Sequence, residues 1–163
     1  LTIQQEKKSF KDLSVAIVGD IRHSRVAHSD IHALRTLGTK DIRLIAPGYL
    51  QYNGEVSNNL KLLDNLDEGI SGVDVVVTLR LQKERMLAAE IPNEKAYFDH
   101  YGITNEKLKL AKPNAIVMHP GPVNRGIEVD TAVADGPQSV ILKQVTNGIA
   151  IRMAVMEVLA QAL

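Results

Sequence analysis

The sequence predicts an α/β fold: a Rossmann-like parallel sheet with helices on both faces, built as a single domain over residues 1–163. Three observations carry this expectation. Continuous apolar runs at 14–19, 73–79 and 115–118 have the pattern of strands buried on both faces. Helical patterns separate the strands, which places the strands in parallel and the crossovers on both sides of the sheet. The length, 163 residues, suits one domain with a real core and is short for two.

Taken in order, residues 1–10 begin as a helix, with Thr2 as cap and Gln5 three residues on. The strand at 14–19 follows and ends in Gly19. Residues 24–37 read as a helix, since Ala27, Ile31, Ala33, Leu34 and Leu37 fall near helical spacing and Gly38 stops it. A second strand at 41–46 ends at Pro47-Gly48, and a short third strand at 60–63 precedes a brief helix at 67–71. After the strand at 73–79 comes a polar segment, 80–93, then helical stretches at 94–101 and 105–111. The strand at 115–118 leads into His119-Pro120-Gly121-Pro122, and a long helical region from about 138 to 163 closes the chain.

That closing region carries a further message. Its polar residues Arg152, Glu157 and Gln161 interrupt the longest apolar stretch, so it is a poor transmembrane span. They also fail to share one face, and a helix apolar nearly all round is normally buried all round. One side can sit on this domain; the other calls for a partner. With Leu1 rather than Met at the start, the expectation is an absent domain.

Composition narrows the function. Lys+Arg and Asp+Glu number 19 each, so neither nucleic acid nor membrane is indicated as the main partner. There is no cysteine, which excludes a disulfide framework, a thiolate metal site and a cysteine nucleophile, and fits a cytoplasmic chain. No metal-ligand spacing, acid pair or nucleophile with an obvious base appears, so no catalytic side chain, metal or cofactor is assigned.

The chemistry sits in three loops that follow three strands and open on one edge of the sheet. The first, 19–29, lacks a dinucleotide fingerprint but sets arginines and a histidine beside a helix start, where N–H groups and the helix dipole favour an anion. In the second, Arg80 directly follows a buried strand and offers a planar fork to a carboxylate, with Glu84 placed to hold it and Gln82 between them. The third is Pro120-Gly121-Pro122, whose prolines lack N–H groups and leave carbonyls free for a ligand. A cis bond before Pro122 would turn those carbonyls sharply. Two separate arginines plus free carbonyls suit a small molecule with two carboxylates and an N–H donor. His119, ahead of a proline in a tight turn, is assigned a structural role.

Gly-Asp-Ile-Arg-His-Ser-Arg-Val (19–26), Leu-Arg-Leu-Gln-Lys-Glu-Arg-Met (79–86) and His-Pro-Gly-Pro-Val-Asn-Arg-Gly-Ile-Glu (119–128) together resemble aspartate carbamoyltransferase, specifically its carboxyl-terminal, aspartate-binding half. The likeness runs over essentially the whole chain, including Val145-Thr146-Asn147-Gly148. It implies transfer of a carbamoyl group from carbamoyl phosphate to L-aspartate, an early step in pyrimidine synthesis. By similarity, Arg25 and Arg80 bind the aspartate carboxylates, Gln82 orients substrate, and Glu84 supports Arg80. Carbonyls of Pro120 and Gly121, in a turn shaped by Pro122, accept hydrogen bonds from the carbamoyl NH2.

The resemblance also implies what lies elsewhere: an amino-terminal carbamoyl-phosphate domain and, in the complete protein, a homotrimer in which a neighbour lends a loop. The isolated chain is then expected to be inactive. Arg22 departs from the family, where lysine is expected. Three other readings compete. They are a non-catalytic module that kept the aspartate-side loops, a sister enzyme acting on ornithine, and a dinucleotide-binding domain. The absent cysteine after His119 and the arginine pair weigh against ornithine.

Overall fold

The computed structural model describes residues 1–86 and 93–161. Part of the polar segment expected at 80–93, from 87 to 92, lies outside the described residues. Five strands, β1 (Ser14–Val18), β2 (Asp41–Ile45), β3 (Leu60–Leu63), β4 (Val75–Thr78) and β5 (Ile116–Met118), form one parallel sheet in the order β3-β2-β1-β4-β5. The chain winds outward from β1 to β3, returns, and winds the other way through β4 and β5. The order therefore reverses between β1 and β4, the place where open α/β sheets hold ligands at the carboxyl ends of their strands.

Helices α1 (Thr2–Lys7), α2 (Arg25–Thr36), α3 (Leu66–Ile70), α4 (Glu94–Tyr101), α5 (Asn105–Leu108), α6 (Thr131–Ala134) and α7 (Ile141–Gln161) surround the sheet. Alternate strand residues feed two separate cores, as a pleated sheet requires. Val15, Ile17, Ile42, Leu44, Val75 and Val77 pack with Ala27, Ile31 and Leu34 of α2 and with Tyr97 of α4. Ala16, Val18, Val76 and Val117 pack on the other face with Leu66 and Ile70 of α3, Leu108 of α5 and Val133 of α6. Burial on both faces explains why these strands read as unbroken apolar runs.

Local chemistry fixes the element ends. Ser24 caps α2 by accepting from the Ala27 N–H (3.1 Å), and Asn65, Asn93 and Thr104 cap α3, α4 and α5 in the same way. The expected cap at Thr2 is corrected. Leu1 is the N-cap of α1, without a side-chain bond, and Thr2 lies buried inside the helix. The Thr2 hydroxyl instead accepts from the Asn147 side chain (2.9 Å), fastening α1 to α7. A Glu6–Lys143 ion pair adds a second link.

The free edge of β5 is covered. Val117 N–H donates to the Gln138 carbonyl (2.8 Å) and Val140 N–H donates to the Val117 carbonyl (2.9 Å), so residues 138–140 run along that strand before α7 begins.

The closing helix is left largely uncovered, in line with the expectation that this domain seats only one side of it. Among the residues of α7 only Ile141 is buried, while Leu142 is 84 % and Met156 70 % exposed. Ile149, Ile151, Met153, Val155, Val158 and Leu159 are exposed as well. An apolar face of that length is unusual for a surface left to water. Among the described residues no helix is long and apolar enough to cross a membrane.

Candidate functional site

Three loops leave the carboxyl ends of the neighbouring strands β1, β4 and β5. Pairing of Val18 with Thr78 and of Val77 with Met118 sets those ends side by side, and the Thr78 hydroxyl donates to the Met118 carbonyl (3.3 Å). The expectation that the loops share one sheet edge is met.

The first loop begins at Gly19, whose φ of +126° lies where side chains are disfavoured. A Cβ there would stand 2.9 Å from the Leu79 carbonyl and 3.2 Å from the Tyr97 hydroxyl, so glycine is needed for close approach as well as for φ. Asp20 follows and is completely buried. Its Oδ1 accepts from the His23 N–H (3.1 Å) and pairs with the His23 ring Nδ1 (2.9 Å). Its Oδ2 lies 3.4 Å from the Gln82 N–H of the second loop, a long hydrogen bond. Below the loop, Ile21 and Arg22 N–H groups donate to the Leu50 carbonyl, and the Arg22 guanidinium donates to the Tyr49 carbonyl (3.3 Å). Arg25 is the first residue of α2 and is exposed.

In the second loop Arg80 is partly buried and its Nη2 meets Glu84 Oε1, the pair the spacing suggested. Glu84 is 54 % exposed, however, so this is a half-solvated contact worth about 0.2–1 kcal/mol, not a buried ion pair. Gln82 precedes the 3-10 turn Lys83–Arg85.

In the third loop the Gly121–Pro122 peptide bond is cis, as expected. Neither the Pro120 nor the Gly121 carbonyl accepts a hydrogen bond from a described residue. His119 is fully buried, in keeping with a structural role, and its N–H donates to Gln144 Oε1 (2.9 Å) of α7. The ring Nδ1 accepts from the Gly121 N–H (2.8 Å) and Nε2 faces Glu128 Oε1 (3.2 Å). Arg125 forms a bidentate pair with Asp135 (2.7 and 2.9 Å).

Sequence reasoning assigned no role to Asp20, Tyr97, Glu128 or Gln144. The signal for Asp20 was an acid directly behind the glycine that ends a buried strand. Tyr97 carried no comparable signal, because nothing local marks a mid-helix tyrosine as the floor of a site. Burial pushes its phenol pKa far up, and the Glu128 and Asp20 carboxylates push the same way, so it stays neutral. Among the described residues no cluster of His, Asp and Glu has the arrangement of a metal site.

The three loops bring Arg80, the start of α2 and the Pro120 and Gly121 carbonyls to one edge of the sheet. Comparison with known proteins identifies the family. The family model for "Aspartate/ornithine carbamoyltransferase, Asp/Orn binding domain" matches residues 11–159. The aspartate carbamoyltransferase catalytic subunit of Ruthia magnifica subsp. Calyptogena magnifica is 65% identical over 98% of this chain and 50% of its own length. That of Vesicomyosocius okutanii subsp. Calyptogena okutanii is 63% identical over 98% of this chain and again 50% of its own.

Among solved structures, aspartate transcarbamoylase from Trypanosoma cruzi in complex with phosphate superposes with a TM-score of 0.81 at 31% identity. It is covered over 52% of its length, and this chain over 95%. Ornithine carbamoyltransferase from Pyrococcus furiosus superposes with a TM-score of 0.79 at 26% identity, covering 95% of this chain and 52% of that one. The chain thus spans about half the length of the relatives it matches. It belongs to the aspartate/ornithine carbamoyltransferase family, as that family's Asp/Orn-binding domain.

Proposed function

We propose that this chain is the aspartate-binding half of an aspartate carbamoyltransferase, which transfers the carbamoyl group of carbamoyl phosphate to L-aspartate early in pyrimidine synthesis. The observation that carries the reading is the meeting of three loops, with Arg25, Arg80 and the Pro120-Gly121 carbonyls, around the reversal in strand order. Arg25 and Arg80 bind the two aspartate carboxylates, each by a charge-assisted fork. Gln82 orients the substrate. Glu84 restricts the Arg80 guanidinium, and the Pro120 and Gly121 carbonyls accept from the carbamoyl NH2 in a turn that Pro122 shapes. The aspartate amine then attacks the carbamoyl carbon, a C–N bond forms, the C–O bond to phosphate breaks, and the proton lost by the amine leaves on the departing phosphate. Positioning and charge stabilisation supply the rate.

Aspartate is favoured over ornithine because two arginines match a second carboxylate and would repel a second ammonium. The absence of cysteine points the same way. The phosphate side of the reaction belongs to an amino-terminal domain, for which the apolar face of α7 offers a seat. The complete protein works as a homotrimer in the cytoplasm, and the isolated chain is inactive. Mixing this chain with a separately made amino-terminal half and assaying carbamoyl aspartate tests the proposal. Turnover with aspartate and none with ornithine is expected, and turnover by this chain alone would overturn the half-enzyme reading. No turnover by the mixture would leave a non-catalytic binding module.

A further inference from the structure

The third loop has an unusual shortage of donors. Between residues 120 and 124, Pro120 and Pro122 have no N–H, which leaves those of Gly121, Val123 and Asn124. Two of these three are taken by one pair of side chains. Gly121 N–H donates to His119 Nδ1 (2.8 Å), and Asn124 N–H donates to Glu128 Oε1 (2.7 Å). The same Glu128 oxygen lies 3.2 Å from His119 Nε2, and both side chains are buried, at 0 % and 2 % exposure. Because Nδ1 accepts, it carries no proton. The ring is the Nε2–H tautomer, which donates to Glu128 and closes the brace.

Peptide planarity turns this brace into an aiming device. The Gly121 N–H and the Pro120 C=O belong to one planar trans unit and point in opposite directions. Drawing the N–H inward onto His119 therefore directs the Pro120 carbonyl outward. We infer that His119 and Glu128 are a positioning pair that aims the Pro120 carbonyl at the carbamoyl NH2, an assignment that rests on the function proposed above. Neither residue touches substrate. Glu128 orients the His119 ring and fixes its tautomer, the ring fixes the 120–121 peptide, and the peptide presents the acceptor.

The test uses the assembled protein, this chain together with its amino-terminal half. His119→Leu removes the acceptor for Gly121 N–H, and a misdirected carbonyl lowers kcat/KM for carbamoyl phosphate on the order of 10²-fold. Inhibition by inorganic phosphate stays unchanged, because phosphate makes no use of the carbonyl. A residue that merely supports the fold would lose both together. His119→Asn restores a side-chain acceptor two residues before Gly121, the Asx-turn arrangement, and recovers activity to within about tenfold of wild type.

Unchanged kcat/KM in His119→Leu, parallel loss of phosphate inhibition, or an asparagine variant no better than leucine overturns the pair's role. If His119→Leu does not fold, His119→Asn alone decides, and an inactive but folded asparagine variant rejects the inference. An assembled wild type without carbamoyl transfer rejects the function itself, and with it this assignment. That result needs no variant and so is distinguishable from the others.

Discussion

The buried carboxylate of Asp20 reaches from the first loop to the Gln82 N–H of the second, at 3.4 Å, while its other oxygen holds His23. Two loops from separate strands thus share one anchor, although its link to the second loop is the long one. Asp20→Asn puts an amide NH2 where one oxygen accepted, so either the His23 or the Gln82 contact meets a donor. In the complete enzyme this variant is expected to raise the aspartate KM at least as much as it lowers stability, by about 1–3 kcal/mol in each. Steady-state kinetics beside urea unfolding measures both, and an unaltered aspartate KM would reject Asp20 as the link between loops.

Arg80→Ala should weaken aspartate use by about 2–5 kcal/mol in kcat/KM while carbamoyl phosphate binding changes little. Glu84→Gln should cost far less, about 0.2–1 kcal/mol, since its contact with Arg80 is half exposed. Equal losses in the two variants would mean that Glu84 touches substrate itself.

Asp30 sits on α2 beside a cavity of about 290 Å³ lined by Val26, Leu34, Leu37 and Ile151, and burial pushes its carboxyl up to about 6. A raised folded-state pKa means that ionisation opposes folding. Stability present when Asp30 is neutral is lost as pH rises from the unfolded value, about 4, through 6. Asp30→Asn should therefore match wild type below pH 4 and exceed it by about 1–2 kcal/mol above pH 7, a figure reduced for partial exposure. Urea midpoints across that range provide the measurement.

Asp74 shows the opposite sign. Burial alone would raise its carboxyl, but Lys112 Nζ (2.8 Å) and the Ser14 N–H (3.0 Å) outweigh it and hold the pKa below the ordinary value. The stability this adds is full above the unfolded pKa and disappears as pH falls through the lower, folded one. Lys112→Met should cost about 1 kcal/mol at pH 7, the low end because Lys112 is 45 % exposed, and converge with wild type near pH 2. Denaturant titrations at the two pH values check it.

Much of this fold was legible in the sequence because its strands are buried on both faces and its helices carry caps. The apolar runs around Ile17, Val76 and Val117, and Ser24 ahead of Ala27, mark their elements without help from tertiary structure. Arg80 and Glu84 could be paired from spacing alone. Thr2 could not be placed, because its hydroxyl answers to Asn147, 145 residues away, and no local rule sees that partner. Tyr97 escaped for the same reason, since its hydroxyl lies beside Gly19 of a loop far off in sequence. Glu128 escaped although its partners Asn124 and His119 are only four and nine residues away, because its burial is set by the fold and not by that spacing.

The chain in isolation should self-associate through α7. Its side chains from Leu142 to Leu159 present an apolar face with little of this domain against it. Light scattering should show a mass above that of one chain, falling when the amino-terminal half is added. A monodisperse monomer at high concentration would count against that face as a contact surface.

The strip at 138–140 that lies along β5 bears on how the sheet can grow. An open edge is a template for foreign strands, and here the edge beside the third loop is already taken by the chain's own backbone. The other edge, β3, is only four residues long and carries the exposed Lys61. A further strand, whether from a swapped neighbour or a nascent fibril, would have to join there, at the end of the sheet farthest from β5. Misassembly of that kind would lengthen the sheet away from the third loop and leave its carbonyls clear.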